Sequence, residues 1–351
     1  LWIDLLKEDD EERFGRAPDT LSHVLAQTRY ERVVLDEVQK APKLLDVVHR
    51  EMEQHRSTVF ILTGSSARKL KRGHADLLAG RALSYHLHPF TSWELGQDFD
   101  LPLALQFGSL PGLPLDEDDD MKREFLRSYT RTYLHEEIRV EQLVRKLNPF
   151  RNFLEVAAQC NGMVLNYAKL SRDLGVDDKT VQNYFSVLED TLVGLHLPAC
   201  HRSVRKQQRQ APKFYLFDTG VKRALERNLR LALQPRTHEF GRAFEHWVIL
   251  ECHRLNDYLR CDYRFSYLRT RDNAEVDLVV ERPGRPDLLI EIKSTAKPET
   301  ENNGRLARFQ RDWDRPCEAQ LWSLRSDALR IGTLTHLPWQ QGLAQLFRDG
   351  R

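Results

Sequence analysis

Cysteine is scarce and unpaired: Cys160, Cys200, Cys252, Cys261 and Cys317 are the five in 351 residues, and no two stand as C-x-x-C. An odd, scattered set argues against a disulfide framework and suits free thiols in a reducing compartment. Charge of one sign is lacking too, since 53 Lys and Arg meet 52 Asp and Glu for a formal net charge of +1. No global basic field announces nucleic acid, so any such contact has to come from a local patch. No apolar run approaches the roughly 18 residues that span a bilayer, and the opening L-W-I-D-L-L-K-E-D-D lacks the order of a signal peptide. A cytoplasmic protein without membrane contact is expected. Also missing is the phosphate cradle G-x-x-x-x-G-K-[ST]. Its nearest approach, Gly64 to Lys69, reads G-S-S-A-R-K and lacks the second glycine and the K-[ST] pair. The chain starts on Leu rather than Met, with Leu1 to Leu6 already reading as strand, so it is expected to begin inside a domain whose first element lies upstream.

What is present suffices for several cores: 41% of the residues are apolar. Residues 1–115 alternate short apolar strands with helical stretches, the pattern of an α/β layer with a largely parallel sheet. Its strands are expected near Leu1–Leu5, Arg32–Asp36, Thr58–Thr63 and Ala82–Leu87, with a helix over Lys43–Gln54. Five consecutive acids, Asp116 to Asp120, open a helical connector over residues 116–150 and are assigned no chemistry. Residues 151–236 give three helical stretches, with Gly175 breaking the second and Asp177 or Asp178 capping the third, followed by two strands flanking a basic segment. That cadence is a winged helix. Residues 237–351 return to α/β order, with a helix around Glu245 and strands near 263–268, 275–280, 288–293 and 319–324.

Two places carry chemistry. Val33-Val34-Leu35-Asp36-Glu37 is a strand of apolars ending in two acids, which would let Asp36 hold the Mg²⁺ of a nucleotide while Glu37 orients the attacking water. The next strand, F-I-L-T-G-S-S, ends in small polar residues where Ser65 or Thr63 would sense the γ-phosphate, and Arg81 in A-G-R would bind phosphate in bidentate fashion. A surface strand end, a helix cap at Ser65 and a plain surface arginine account for the same residues equally well.

The second place is E-V-D-L-V-V followed by L-L-I-E-I-K. Side chains alternate along a strand, so Glu291 and Lys293 share a face, and a turn between the strands would bring Asp277 beside them. Two carboxylates and a lysine suit Mg²⁺, with Lys293 holding or helping to deprotonate a water that attacks a phosphodiester and Glu245 lending a further oxygen from its helix. An ordinary same-face ion pair remains the alternative. In the wing, Arg202, Arg205, Lys206, Arg209 and Lys213 have no acid among them, a composition that would contact phosphates without reading sequence. Gln182 and Asn183 on the preceding helix would reach base edges.

In order along the chain, V-V-L-D-E-V-Q-K-A-P-K-L-L, F-I-L-T-G-S-S, L-L-A-G-R-A, H-P-F-T-S-W-E-L, K-F-Y-L-F-D-T-G-V, F-E-H-W-V and A-E-V-D-L-V-V with I-E-I-K-S resemble bacterial and archaeal AAA-type ATPases that carry a DUF4143 region at their C-terminal end. The resemblance implies a P-loop NTPase-type parallel core, here incomplete, then a winged helix and a C-terminal α/β domain of the PD-(D/E)xK nuclease type. It makes Asp36 and Glu37 the Walker B acids, puts Ser65 in the sensor segment, and makes Asp277, Glu291 and Lys293 the nuclease signature with Glu245 as its helical acid. Family members carry a Walker A motif ahead of the strand matching Leu1–Leu5, so truncation before it is expected, and ATP is a cofactor only if an upstream P-loop exists. The functions in view are a DNA-associated ATPase coupled to the nuclease-like domain, a Mg²⁺-dependent DNA endonuclease, and a non-catalytic module binding nucleic acid or a partner protein. A DExx-box helicase fits less well, since no second RecA-like core follows Asp36.

Overall fold

The computed structural model describes residues 1–54, 57–64, 82–133, 147–201, 210–270, 274–297 and 300–348. Ser65, Arg81, Arg202, Arg205, Lys206 and Arg209 lie outside the described residues. Among the described residues the chain divides into two compact units, one up to Ser84 and one from Tyr85 onward.

The first unit is mixed α/β around a parallel sheet, as its strand and helix alternation predicts. Strands β1 (Trp2–Asp4), β2 (Arg32–Asp36) and β3 (Val59–Leu62) lie in the order β1-β2-β3. Ile3 pairs with Leu35 and Val33 with Phe60, so the apolar residues of alternate positions line one face. Against it packs the Leu44–Gln54 helix, which turns Leu44, Leu45, Val47 and Val48 inward at helical spacing. The strand expected over Ala82–Leu87 does not form: residues 82–88 have no regular secondary structure. From Tyr85 onward the chain belongs to the second unit, where the His88 amide donates to the Tyr258 hydroxyl at 2.8 Å.

The second unit therefore begins well before the boundary expected at residue 115. Its early part is held by groups remote in sequence. Glu251, fully buried, accepts the Ser92 amide at 2.9 Å from 159 positions away. Arg254 donates to the Phe90 carbonyl at 3.1 Å and to Ser109 Oγ at 3.2 Å. Buried Asp218 caps the Thr219–Leu225 helix and accepts the Ser109 amide at 2.8 Å. Gly220 lets that helix meet the Leu101–Phe107 helix, because an added Cβ would fall 1.9 Å from the Phe107 carbonyl oxygen. The acid run has a structural use: Asp118 caps the Asp119–Ser128 helix by accepting the Met121 amide at 2.9 Å, and Asp119 and Asp120 pair with Arg123 in its first turns.

The helices Leu147–Gln159, Tyr167–Leu174 and Asp178–Asp190 follow. Gly175 ends the second in the left-handed region at φ 65°, and Asp177 caps the third through the Thr180 amide. Strands β4 (Gly194–Leu197) and β5 (Lys213–Leu216) then pair antiparallel. Gln182 and Asn183 are exposed on the third helix.

The C-terminal part is a six-stranded sheet of order β10-β11-β9-β8-β7-β6, built from β6 (Arg264–Arg269), β7 (Glu275–Glu281), β8 (Asp287–Lys293), β9 (Cys317–Ser323), β10 (Leu329–Ile331) and β11 (Leu334–Pro338). β7 and β8 are antiparallel, and β8 and β9 are parallel with the Thr300–Asp312 helix as crossover. Phe244, Trp247 and Val248 of the His238–Leu259 helix join Leu278, Val280, Leu288 and Ile290 in one core. Val279, Leu289 and Leu306 form a second core. This alternation sends Asp277, Glu291 and Lys293 toward the Leu306 side.

Candidate functional site

The β7–β8 ladder pairs Leu278 with Ile290 and ends there, so Asp277 falls opposite Glu291 one step beyond. In place of a ladder bond, Asp277 Oδ2 accepts the Ile292 amide at 2.7 Å. The two carboxylates are then bridged by Lys293, whose Nζ stands 2.7 Å from Glu291 Oε1 and 3.6 Å from Asp277 Oδ2. Arg305, from the crossover helix, also contacts Glu291 Oε1. Burial pushes the Glu291 carboxyl up to about 7, with the charge of Asp277 adding to it against the pull of Lys293 and Arg305. Burial acts to lower Lys293, but Asp277 and then Glu291 outweigh it and hold the ammonium above its ordinary value. At neutral pH Lys293 is thus a fixed cation. It suits holding a phosphate oxygen or stabilising developing charge better than taking a proton. Glu291 Oε2 is buried and has no hydrogen-bond partner among the described residues.

Glu245 occupies a separate ion-paired nest. Its Oε1 accepts from Lys213 Nζ at 3.2 Å and from the Tyr215 hydroxyl at 2.7 Å, while Lys213 also pairs with Glu275 and lies 5.6 Å from the centre of the Tyr267 ring. Lys213, expected among the wing cations, is only 3% exposed and serves these carboxylates instead. Burial works to lower it, and Glu245 foremost among its neighbours more than reverses that, so the ammonium stays charged. Burial, reinforced by Glu245, raises the Tyr215 phenol far above its usual range and keeps it a donor. Asp277, Glu291 and Lys293 are brought together as their spacing implies. The three carboxylates Glu245, Asp277 and Glu291 do not converge within 4.8 Å of one another, although the charge of Glu245 reaches Lys293 and that of Asp277 reaches Lys213; among the described residues, the trio of His, Cys, Asp or Glu that does converge is His86, His88 and Asp257.

In the first unit, Asp36 and Glu37 stand half-buried at the end of β2. The Thr63 hydroxyl at the end of β3 donates to Asp36 and accepts the Glu37 amide at 3.1 Å, while the Thr63 amide donates to the Leu35 carbonyl at 3.0 Å. Glu37 lies in the left-handed region at φ 58°, a conformation that costs a non-glycine residue roughly 1–2 kcal/mol. It is fixed there by the Thr63 bond and by Gln39, which donates to its carboxylate.

A cleft of about 680 Å³ in the second unit was not visible in the sequence. Arg127, Arg131, Arg151 and Arg227 border it, drawn from three helical segments and the turn after Leu225. Arg127 pairs with Glu124 and Arg227 with Glu155. Each arginine looks like ordinary surface charge in its own segment, and only the packing of the segments gathers them. Among the described residues, no helix is long and apolar enough to cross a membrane.

The sequence matches three family models. Residues 1–96 match an AAA domain, residues 98–233 a domain of unknown function (DUF8612) and residues 240–339 a domain of unknown function (DUF4143). Uncharacterized proteins of Mycobacterium tuberculosis and Mycobacterium bovis are each 28% identical over 277 residues, which is 78% of this chain and 61% of theirs. The matched region thus spans less than two thirds of the length of these relatives. A solved protein structure from Vibrio cholerae aligns over 97% of this chain and 82% of its own at 11% identity, with a TM-score of 0.24, too low to imply a common fold. The matches thus place an AAA domain first and a DUF4143 region last, the order of AAA-type proteins that carry a DUF4143 region at their C-terminal end.

Proposed function

We propose that this protein is a DNA-associated AAA-type ATPase whose C-terminal region bears a Mg²⁺-dependent, nuclease-like site at Asp277, Glu291 and Lys293. The observation that carries the proposal is the state of Glu291: a buried carboxylate, one oxygen without a partner, opposite a second carboxylate. Two carboxylates this close are costly to keep ionised together even with Lys293 and Arg305 on Glu291 Oε1, and a hard divalent ion bound by Asp277 and Glu291 oxygens with several waters fits that donor set. Bound there, Mg²⁺ would polarise a phosphodiester and acidify a water. Lys293, held charged at the rim, would bind a phosphate oxygen and steady the charge that builds on it. Glu245 is engaged by Lys213 and Tyr215 and would join only through them.

For the ATP-dependent part, Asp36 would hold the nucleotide's Mg²⁺, Thr63 would orient Asp36, and Glu37 would position the attacking water. The arginine-bordered cleft supports a polyanionic ligand, and exposed Gln182 and Asn183 support contact with base edges. Free cysteines are compatible with a reducing, cytoplasmic setting.

The test is incubation of the full-length protein with plasmid and linear DNA in Mg²⁺ or Mn²⁺. Cleavage is expected, reduced by about 10²-fold or more in Lys293→Ala. Cutting that survives Lys293→Ala and Asp277→Asn would place the activity elsewhere. A second reading, a binding module that does not cut, is favoured by the pairing of Glu291 with Lys293 and Arg305, which already balances its charge. Salt-sensitive DNA retention without cleavage in either metal would select it.

A further inference from the structure

His86 and His88 are separated by one residue, and both reach the same carboxylate oxygen. His86 Nδ1 lies 3.1 Å and His88 Nε2 2.9 Å from Asp257 Oδ2, across some 170 positions of sequence. Asp257 sits near the C-terminal end of the His238–Leu259 helix, one turn after His253, so both project from one helix face. The His253 ring stands edge-on to His88 with centroids 5.6 Å apart. The Tyr258 hydroxyl, accepting the His88 amide at 2.8 Å, fixes the backbone that presents the imidazoles.

We propose that His86, His88 and Asp257 form a binding site for a divalent transition metal of the zinc class, distinct from the carboxylate sites above. Two imidazoles and one carboxylate are donors for zinc and its neighbours rather than for Mg²⁺, which prefers oxygen alone. A tetrahedral ion with bonds of about 2.0–2.1 Å holds its donors roughly 3.3 Å apart, so the two His–Asp distances need to open by only tenths of an ångström, and all three ligand atoms already lie within 4.8 Å of one another. His86 is the most exposed of the three, and a solvent water would complete a four-coordinate ion. The ion would pin the 86–88 segment to the end of the helix, where hydrogen bonds hold it in its absence.

The test uses untagged full-length protein, stripped with a chelator, dialysed and titrated with Zn²⁺, with Co²⁺ as a spectroscopic probe. One equivalent of Zn²⁺ is expected to bind and raise the melting temperature, and Co²⁺ is expected to give the intense visible bands of a four-coordinate site. His88→Ala and Asp257→Asn are expected to lose both signals. Exposed His86→Ala guards against misfolding: it is expected to lose uptake while melting like the stripped parent. Lys293→Ala is expected to keep full uptake, which separates this site from the nuclease-like one. Absence of stoichiometric uptake in the parent, or uptake unchanged in His86→Ala and Asp257→Asn, would overturn the proposal.

Discussion

Asp36 and Glu291 both sit at the C-terminal reach of an apolar strand, yet their surroundings are opposite. Asp36 meets the Thr63 hydroxyl and, among the described residues, no cation. Glu291 is buried against Lys293 and Arg305, with Asp277 across from it. Among the described residues, the first place is met by a hydroxyl and the second is already paired with two cations. The difference lies outside the strands. It comes from what the next element brings over the strand end: a threonine from β3 in one case, an arginine from the Thr300–Asp312 helix in the other.

The hardest blow to this contrast is Glu37→Gln. Glu37 is held in a left-handed conformation beside Asp36 by Thr63 and Gln39, and the proposed function has it position a water from there. Loss of that group is expected to lower ATP turnover in the full-length protein by about 10³-fold with bound nucleotide retained. Phosphate release and nucleotide retention measure it. Turnover unchanged in the variant would remove the first place from the chemistry altogether.

Next in size is Lys213→Met, which keeps the apolar stem and deletes the charge shared by Glu245 and Glu275. Two partly buried carboxylates would then face each other's neighbourhood, with Tyr215 the remaining donor to Glu245 among the described residues. A cost of roughly 3 kcal/mol is expected, read from the urea midpoint. A cost below about 0.5 kcal/mol, the range of surface changes, would mean that Lys213 is not the keystone of this nest.

The residues explain what the sequence could and could not reveal. Asp277, Glu291 and Lys293 were legible because strand parity alone decides which side chains share a face. The Asp177 cap and the Gly175 stop were legible because each acts on backbone within three residues of itself. Lys213 was misleading: it closes an acid-free basic run, and its partners come from a helix and a strand far along the chain. Residues 82–88 have the apolar alternation of a strand but find no neighbour to pair with, since their polar groups go to Asp257 and Tyr258. The closing β10, β11 and Trp339–Arg348 helix were not foreseen. β10 has only three residues, all exposed, so no buried face marks it.

Acidity gives a third test. The folded-state value of Glu291, about 7, lies above the ordinary 4.5 of a free glutamate. The folded protein therefore holds this proton more tightly than the unfolded chain. The resulting stability is complete below about 4.5 and is lost as pH rises through about 7. Subtracting the pH–stability curve of Glu291→Gln from that of the parent removes the similar slopes of buried Asp218 and Glu251, which burial also raises. The difference is expected to fall by on the order of 2–3 kcal/mol across that window. Added Mg²⁺ should flatten it, because the ion replaces the proton. A flat difference without metal would mean that Lys293 and Arg305 already cancel the charge, which supports the binding-module reading.

The smallest effect is expected from Arg305→Gln, and it separates the two readings most finely. Arg305 is 39% exposed at its side chain, so its pairing with Glu291 is screened and its loss should cost less than about 1 kcal/mol of stability. The glutamine cannot donate charge, so Glu291 Oε1 is left with Lys293 alone. If Arg305 stands where a cation would otherwise be drawn, the variant should bind Mg²⁺ more tightly, seen as a lower metal concentration for half-maximal cleavage or for the flattening of the pH curve. If Arg305 instead belongs to a phosphate-binding surface, metal dependence should stay as it was and DNA retention should weaken, with the salt slope reduced by about one contact. The two outcomes move different measurements, so one variant decides whether the cations around Glu291 hold a place for a metal or form the site themselves.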